Sequence, residues 1–385
     1  MKFEVLRSSG LQRLGKLSCS RLNSKSFLTP GCFLYMRSGI VPYLTPDMLS
    51  YVFSLPCIFE ITLPTVYNNL ESVKHFPNNY RKYLGLPNET LLYLSQLDSS
   101  ATLQTGFPSK DKISIWVPGG RRQLSVDEYT SIAQLLDVDM FASPSNFDRN
   151  DSKDSDNVHV SVSRSLKNAA NALESCKSFN IEASMFTTVY AGNNRKNVDA
   201  CLTQVSSEDP INVDTFGSHS MPSLEILRYI SNSSSGCKLL SGVGTPLNVI
   251  NAIKCGVDVF EGHFPYVATE SKFALAFPLT LESSPSPAYI SIKDKSLAND
   301  LSPLIKGCKC YTCARFSRAY IHHLEEVNEI LYSILLMLHN LHHYFSFFET
   351  LRAYVTTEKL DIYSTIIANS IETSECSLSE VVAKD

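Results

Sequence analysis

The chain has 385 residues, 44% of them hydrophobic and 19% charged, enough for one large core or one and a half ordinary ones. A formal net charge of −4 excludes a nucleic-acid binder that works through overall positive charge, so any RNA contact is local or shared with a partner. No run reaches the roughly 18 uncharged apolar residues of a membrane span; the longest, 330–338, stops at His339 and Asn340.

Residues 1–16 hold several bases and only Glu4 as an acid, which allows a transit peptide, while Phe3, Val5 and Leu6 allow a first strand. Residues 1–110 are expected to supply N-terminal strands and the first part of the main domain. From about residue 110 a strand-then-helix rhythm sets in. KISIWV (112–117) reads as a strand ending at Pro118-Gly119-Gly120, 126–136 as a helix and 138–142 as the next strand. A polar, Asp/Ser-rich loop over 145–157 leads into a helix over 163–176 and a strand over 183–190. Further strands are predicted at 211–216, 238–241 and 257–260. A helix over 247–255 is opened by Thr245 as N-cap and Pro246 at the first turn. This rhythm predicts parallel strands with crossover helices, and its length suits a (β/α)8 TIM barrel whose body is 111–302. The rival, an open doubly wound sheet, lacks a Gly-rich phosphate fingerprint here. The Ser/Pro-rich stretch 270–302 reads as an irregular connection. Residues 303–385 read as a helical subdomain, with helices over 317–338 and 339–355.

Eight of the 11 cysteines are scattered singly, as small buried hydrophobes are. The other three, Cys308, Cys310 and Cys313, fall within six residues, the spacing of a metal site in a reducing compartment, so the chain is expected in the cytosol. Thiolates and imidazoles are the ligands zinc prefers, and four protein ligands make a closed, structural site. The fourth donor is open on spacing alone among His322, His323, His339, His342 and His343.

The segment GCKCYTCARFSRAYIHHL (307–324) resembles the zinc segment of the tRNA-guanine transglycosylases. That family's ligands run Cys-x-Cys-x2-Cys with a histidine 26 positions after the last cysteine, which here is His339. LSGVGTPLNVINAIKCGVDVF (240–260) is similar to the family's strand-helix-strand before its catalytic loop. The resemblance covers most of 110–355. It implies a (β/α)8 barrel with a zinc-bearing C-terminal insertion. It also implies exchange of guanine at the tRNA anticodon wobble position for a 7-deazaguanine base. In that chemistry one aspartate attacks the ribose anomeric carbon and a second handles protons.

The chain departs from the pattern at the reaction centre. Glu261 stands where the resemblance places the nucleophilic aspartate, and Tyr266 and Val267 stand near the expected loop arginine. A displacement of about 1 Å can cost on the order of a hundredfold in rate. Val117, before Gly119-Gly120, is read at the proton-handling position, where a valine carries no proton. Phe141-Ala142-Ser143-Pro144 replaces the base-reading acids, and Phe216-Gly217-Ser218-His219 the base-holding segment. With the zinc motif intact and the catalytic residues gone, the expectation is a non-catalytic chain with no catalytic residue of its own. It would hold one structural Zn2+ on Cys308, Cys310, Cys313 and His339 and pair with a catalytic transglycosylase chain in a heterodimer that engages tRNA. The alternative is an active enzyme using Glu261 as nucleophile. The family also allows peripheral attachment to the mitochondrial outer face. Asp258 and Glu261, three apart on a strand end, are expected on opposite faces, with Asp258 structural. Arg121 and Arg122 read as a solvated pair with RNA phosphate contact as the second reading. His322 and His323 read as packing or interface residues. For Tyr344, Phe345, Phe347, Phe348 and Tyr354 packing on the barrel and, from the resemblance, a dimer interface both stay open.

Overall fold

The computed structural model describes residues 1–22, 25–52, 57–76, 80–101, 112–146, 155–192, 194–214, 221–282 and 286–374, the side chains of 155–157 excepted. They form two compact units. Met1–Gly39, Pro56–Gly244 and Asn251–Glu261 make the first, and Ile40–Leu55, Thr245–Ile250 and Gly262–Asp385 the second.

The first unit opens with an antiparallel sheet of β1 (Lys2–Ser9), β2 (Gln12–Ser18) and β3 (Phe27–Thr29). The strand reading of the N-terminus is the observed one, with Phe3 opposite Leu17 and Glu4 opposite Lys16. The barrel follows as β4 (Gly31–Cys32), β5 (Leu34–Met36), β6 (Ile58–Thr62) and β7 (Leu91–Ser95). A hairpin of β8 (Ile113–Val117) and β9 (Gly120–Leu124) interrupts it. It resumes with β10 (Met140–Ala142), β11 (Ser184–Tyr190), β12 (Ile211–Asp214), β13 (Lys238–Leu240) and β14 (Val259–Phe260). The neighbour order is β4-β14-β13-β12-β11-β10-β7-β6-β5, parallel throughout. Only Phe33 separates β4 from β5, and its N–H still bonds to Phe260 O at 2.8 Å. The two ends are therefore one interrupted stave, and eight staves close the expected barrel. Staves buried on both faces read as continuous apolar runs rather than alternations. IFEIT in β6 and LLYLS in β7 are buried at every position. Inside, Phe33, Tyr93 and Phe186 pack with ring centroids 5.0 and 5.8 Å apart, tilted and edge-on, and Leu17, Leu22 and Phe27 from the N-terminal segment join the same core.

One predicted stave is corrected. Residues 113–117 are a strand, but β8 pairs antiparallel with β9 and lies outside the barrel. Its burial alternates, with Ile113, Ile115 and Val117 in and Ser114 and Trp116 half out, the signature of a strand covered on one face. Gly119 and Gly120 close the turn at φ +100° and +113°, where a side chain is strained.

The helices of this part of the chain are α1 (Leu63–Val66), α2 (Leu70–Lys74), α3 (Tyr80–Tyr83), α4 (Val126–Leu135), α5 (Ser155–Ser178), α6 (Arg195–Leu202), α7 (Leu224–Ser233) and α8 (Pro246–Lys254). A reciprocal capping box, Ser125 with Glu128, fixes the start of α4.

The second unit contains α9 (Phe264–Glu270), then β15 (Phe273–Leu275) and β16 (Tyr289–Ser291) as an antiparallel ribbon inside the stretch predicted irregular. After it come α10 (Tyr311–Arg315), α11 (Arg318–Glu326), α12 (Ile330–Thr357) and α13 (Leu360–Glu372). The break between long helices falls at 327–329, not after Leu338. Asn328 takes φ +56°, a left-handed conformation asparagine tolerates, and α12 then runs unbroken for 28 residues. Of the tail aromatics, Tyr344, Phe347 and Phe348 are at most 1% exposed and pack with Phe264, Phe277 and Tyr363 as core, while Phe345 and Tyr354 are half-buried.

Candidate metal centre and reaction site

Local structure gathers the three cysteines. Cys310 is the N-cap of α10 and its Sγ accepts the N–H of Cys313 at 3.2 Å, which turns both sulfurs to one side. His339, fully buried in α12, brings Nδ1 to 4.0, 3.5 and 3.3 Å from the sulfurs of Cys308, Cys310 and Cys313. All four ligand atoms lie within 4.8 Å of one another. A tetrahedral site with M–S about 2.3 Å and M–N about 2.0 Å needs S···N separations of about 3.5 Å, so the residues fit. His339 Nε2–H donates to Leu275 O at 3.0 Å, which leaves the Nδ1 lone pair facing the thiols. The cluster could hold one metal ion.

The other histidines have separate duties. His322 Nδ1 meets Ile292 O at 2.7 Å, and Nε2 lies 3.6 Å from Glu326. His343 donates from Nε2 to Phe277 O at 2.9 Å, and burial drives its imidazolium down to about 3. Both are packing residues; His323 is exposed.

In the barrel unit, residues at the C-terminal ends of the staves line a cavity of about 20 Å3. That is room for about one water, far below the ~300 Å3 of a ligand pocket. Its carboxyls are Asp98, Asp214 and Glu261, all buried. Glu261 Oε2 accepts the Gly242 N–H at 2.8 Å and the Ser99 hydroxyl. Burial raises its carboxyl to about 7, against those two hydrogen bonds. Asp98 accepts from Tyr35 Oη at 2.8 Å, Ser100 N at 3.0 Å and Ser100 Oγ at 2.8 Å.

The reading of Val117 is therefore corrected. It sits in the hairpin, and the segment reaching the cavity is the one after β7, which presents Asp98. Sequence reasoning passed over that acid in favour of the Gly-Gly pair; its signal was the unbroken apolar run of 91–95. Ala142 lines the cavity, whereas 216–219 lie outside the described residues. Asp258 and Glu261 lie at opposite ends of β14. Asp258 pairs with Arg13, Nε to Oδ1 at 2.7 Å and Nη2 to Oδ2 at 2.6 Å, which makes it structural.

The raised Glu261 carboxyl predicts a pH effect. From the unfolded value near 4.3 up to about 7 the folded chain holds more protons, so this group's contribution to stability falls as pH rises and levels off above 7. Glu261→Gln keeps an acceptor and removes the charge. Urea melts should show no gain at pH 4 and a gain on the order of 3 kcal/mol at pH 8. A gain independent of pH would contradict the assignment.

An exposed feature of the second unit was missed. Tyr51, Tyr311, Phe316 and Tyr320 form a ladder with successive ring separations of 5.1, 6.2 and 5.6 Å, and Arg315 lies 4.1 Å over Tyr311. Tyr51 is 54% and Tyr320 40% exposed.

The sequence profile of the queuine tRNA-ribosyltransferase family (TGT) matches residues 8–372. The chain belongs to this family. Queuine tRNA-ribosyltransferase accessory subunit 2 of Danio rerio is 29% identical over 417 residues, covering 95% of this chain and 99% of its own length. The Homo sapiens protein of that name is 28% identical over 404 residues, 94% of this chain and 97% of its own. That of Anopheles gambiae is 29% identical, covering 94% and 88%. The match spans both the barrel and the segment that carries the Cys3His cluster. No helix among the described residues is long and apolar enough to cross a membrane.

Proposed function

We propose that the chain is the non-catalytic subunit of a heterodimeric queuine tRNA-ribosyltransferase. A catalytic partner chain exchanges guanine for queuine at the wobble position of tRNAs with GUN anticodons, those for Asp, Asn, His and Tyr. This chain supports the partner and helps seat the tRNA. The observation that carries the reading is the small cavity, with room for about one water, in which Glu261 turns Oε2 to two donors, the Gly242 N–H and the Ser99 hydroxyl. A nucleophilic carboxylate needs a free, charged oxygen and space for the base. The names of the relatives point the same way. We infer zinc as the metal on Cys308, Cys310, Cys313 and His339, since three thiolates and one imidazole suit it and leave no open catalytic position. The face offered to the partner is the Tyr51–Tyr320 ladder, because aromatic and Arg side chains are enriched at interface cores.

The rival reading, an active transglycosylase using Glu261, draws on Asp98 and Glu261 sharing one cavity. Reconstitution separates the two. Labelled-base exchange should require both chains, and Glu261→Gln in this chain should leave turnover within about twofold. Exchange by this chain alone, lost in Glu261→Gln, would favour the rival. We place the assembly in the cytosol, with peripheral attachment to the mitochondrial outer face. Fractionation should find the chain either soluble or released from that membrane by carbonate, and recovery in the matrix would refute the placement.

A further inference from the structure

The β8–β9 hairpin belongs to the connection leaving the C-terminal end of β7, the same end of the barrel at which Asp98 meets the cavity. Its apolar face, Ile113, Ile115, Val117 and Leu124, is buried, and the hairpin packs on α1. Asn68 Nδ2 fixes its tip by donating to Pro118 O at 3.1 Å. The register leaves the opposite face fully determined: Trp116 lies across from Arg121, and Ser114 across from Gln123. On that face Trp116 and Arg121 are half-exposed and Gln123 is exposed, while Arg122, across from Ile115, belongs to the other face. From Lys112 to Leu124 there are three cations and no acid, in a chain whose net charge is −4.

We propose that this outer face is a stacking platform for an unpaired RNA base, with Trp116 under the base and Arg121 on a flanking phosphate. Aromatic rings beside cations are how proteins hold single-stranded nucleic acid without reading its sequence. A protein partner fits less well, because none of the exposed large apolar side chains lies on the hairpin. Because the RNA is the tRNA of the proposed assembly, the platform presupposes that assembly.

Trp116 is the only tryptophan of the chain, so its fluorescence reports on this face alone. Titrating the full-length chain with a short unstructured RNA should quench it saturably, and an RNA duplex should not. Arg121→Glu should abolish the quenching. In the assembled complex, Trp116→Ala should weaken tRNA binding about tenfold, with Trp116→Phe restoring most of it. Arg121→Gln should flatten the salt slope by about 0.7, the value of one phosphate contact. Unchanged fluorescence, equal quenching by duplex, or tRNA affinity indifferent to Trp116→Ala would overturn the platform. Trp116→Ala that impairs pairing with the catalytic chain would overturn it too, by making the hairpin a protein contact. Failure of the wild-type chains to pair refutes the subunit reading instead, and leaves the quenching result to stand by itself.

Discussion

Cys310→Ser or His339→Ala is expected to strip the metal from the chain and cost more than about 4 kcal/mol of stability, a loss reserved for a few mechanisms such as loss of a metal. The cluster ties the loop at Cys308 and the start of α10 to the middle of α12, and through His339 to the carbonyl of Leu275 in β15. Removing one ligand leaves the other buried donors without a common cation. Structural zinc in finger peptides carries about 10–16 kcal/mol of apparent binding energy. Here an apolar core of Ala274, Leu304, Ile321, Leu335 and Leu336 persists without the ion, which sets a smaller loss. Metal analysis should find one ion per wild-type chain and none in the variants, with urea midpoints falling accordingly. Cys19→Ser, outside the cluster, should change stability by less than about 0.5 kcal/mol. A fully stable Cys310→Ser chain would remove the structural role.

Arg13→Ala is expected to cost about 3–5 kcal/mol, because it strands a buried carboxylate. Asp258 is fully buried, and its two oxygens receive the Arg13 guanidinium and the backbone N–H of Lys238 at 2.8 Å. The same guanidinium donates to Ser235 O at 2.9 Å and Gly236 O at 2.5 Å. Gly236 is required there, since a Cβ would lie 2.0 Å from Asp209 O. Lys238 Nζ donates to Ser234 O and Gly236 O, and burial pulls its ammonium down to about 8. One side chain thus pins β2 to the entry of β14 and to the turn before β13. Arg13→Lys should recover little, because a point charge cannot reproduce the bidentate pair. The apolar double variant Arg13→Met/Asp258→Leu should recover much of the loss. Urea denaturation measures all three, and a loss below about 1 kcal/mol in Arg13→Ala would contradict the buried-pair account.

How far the sequence could be read depended on how local each signal was. Cys308, Cys310 and Cys313 announce a metal cluster by spacing, and the family pattern adds His339; the carbonyl of Leu275 that orients its ring comes from another element and leaves no trace in the motif. The parallel barrel was legible because buried staves are continuous apolar runs. KISIWV was misplaced because an alternating strand and a stave look alike when the partner is unseen. That error carried the proton-handling position to Val117 and hid Asp98. The break at Asn328 was missed because apolar periodicity resumes at once in α12. The Tyr51–Tyr311 stack joins residues far apart in the chain, which no periodicity reveals.

Covalent trapping tests the central claim most directly. With both chains, tRNA and no incoming base, denaturing gels should show RNA attached to the catalytic chain alone, while this chain keeps its metal and its mobility. An RNA-shifted band of this chain that disappears in Glu261→Gln would mean that its barrel performs the chemistry after all.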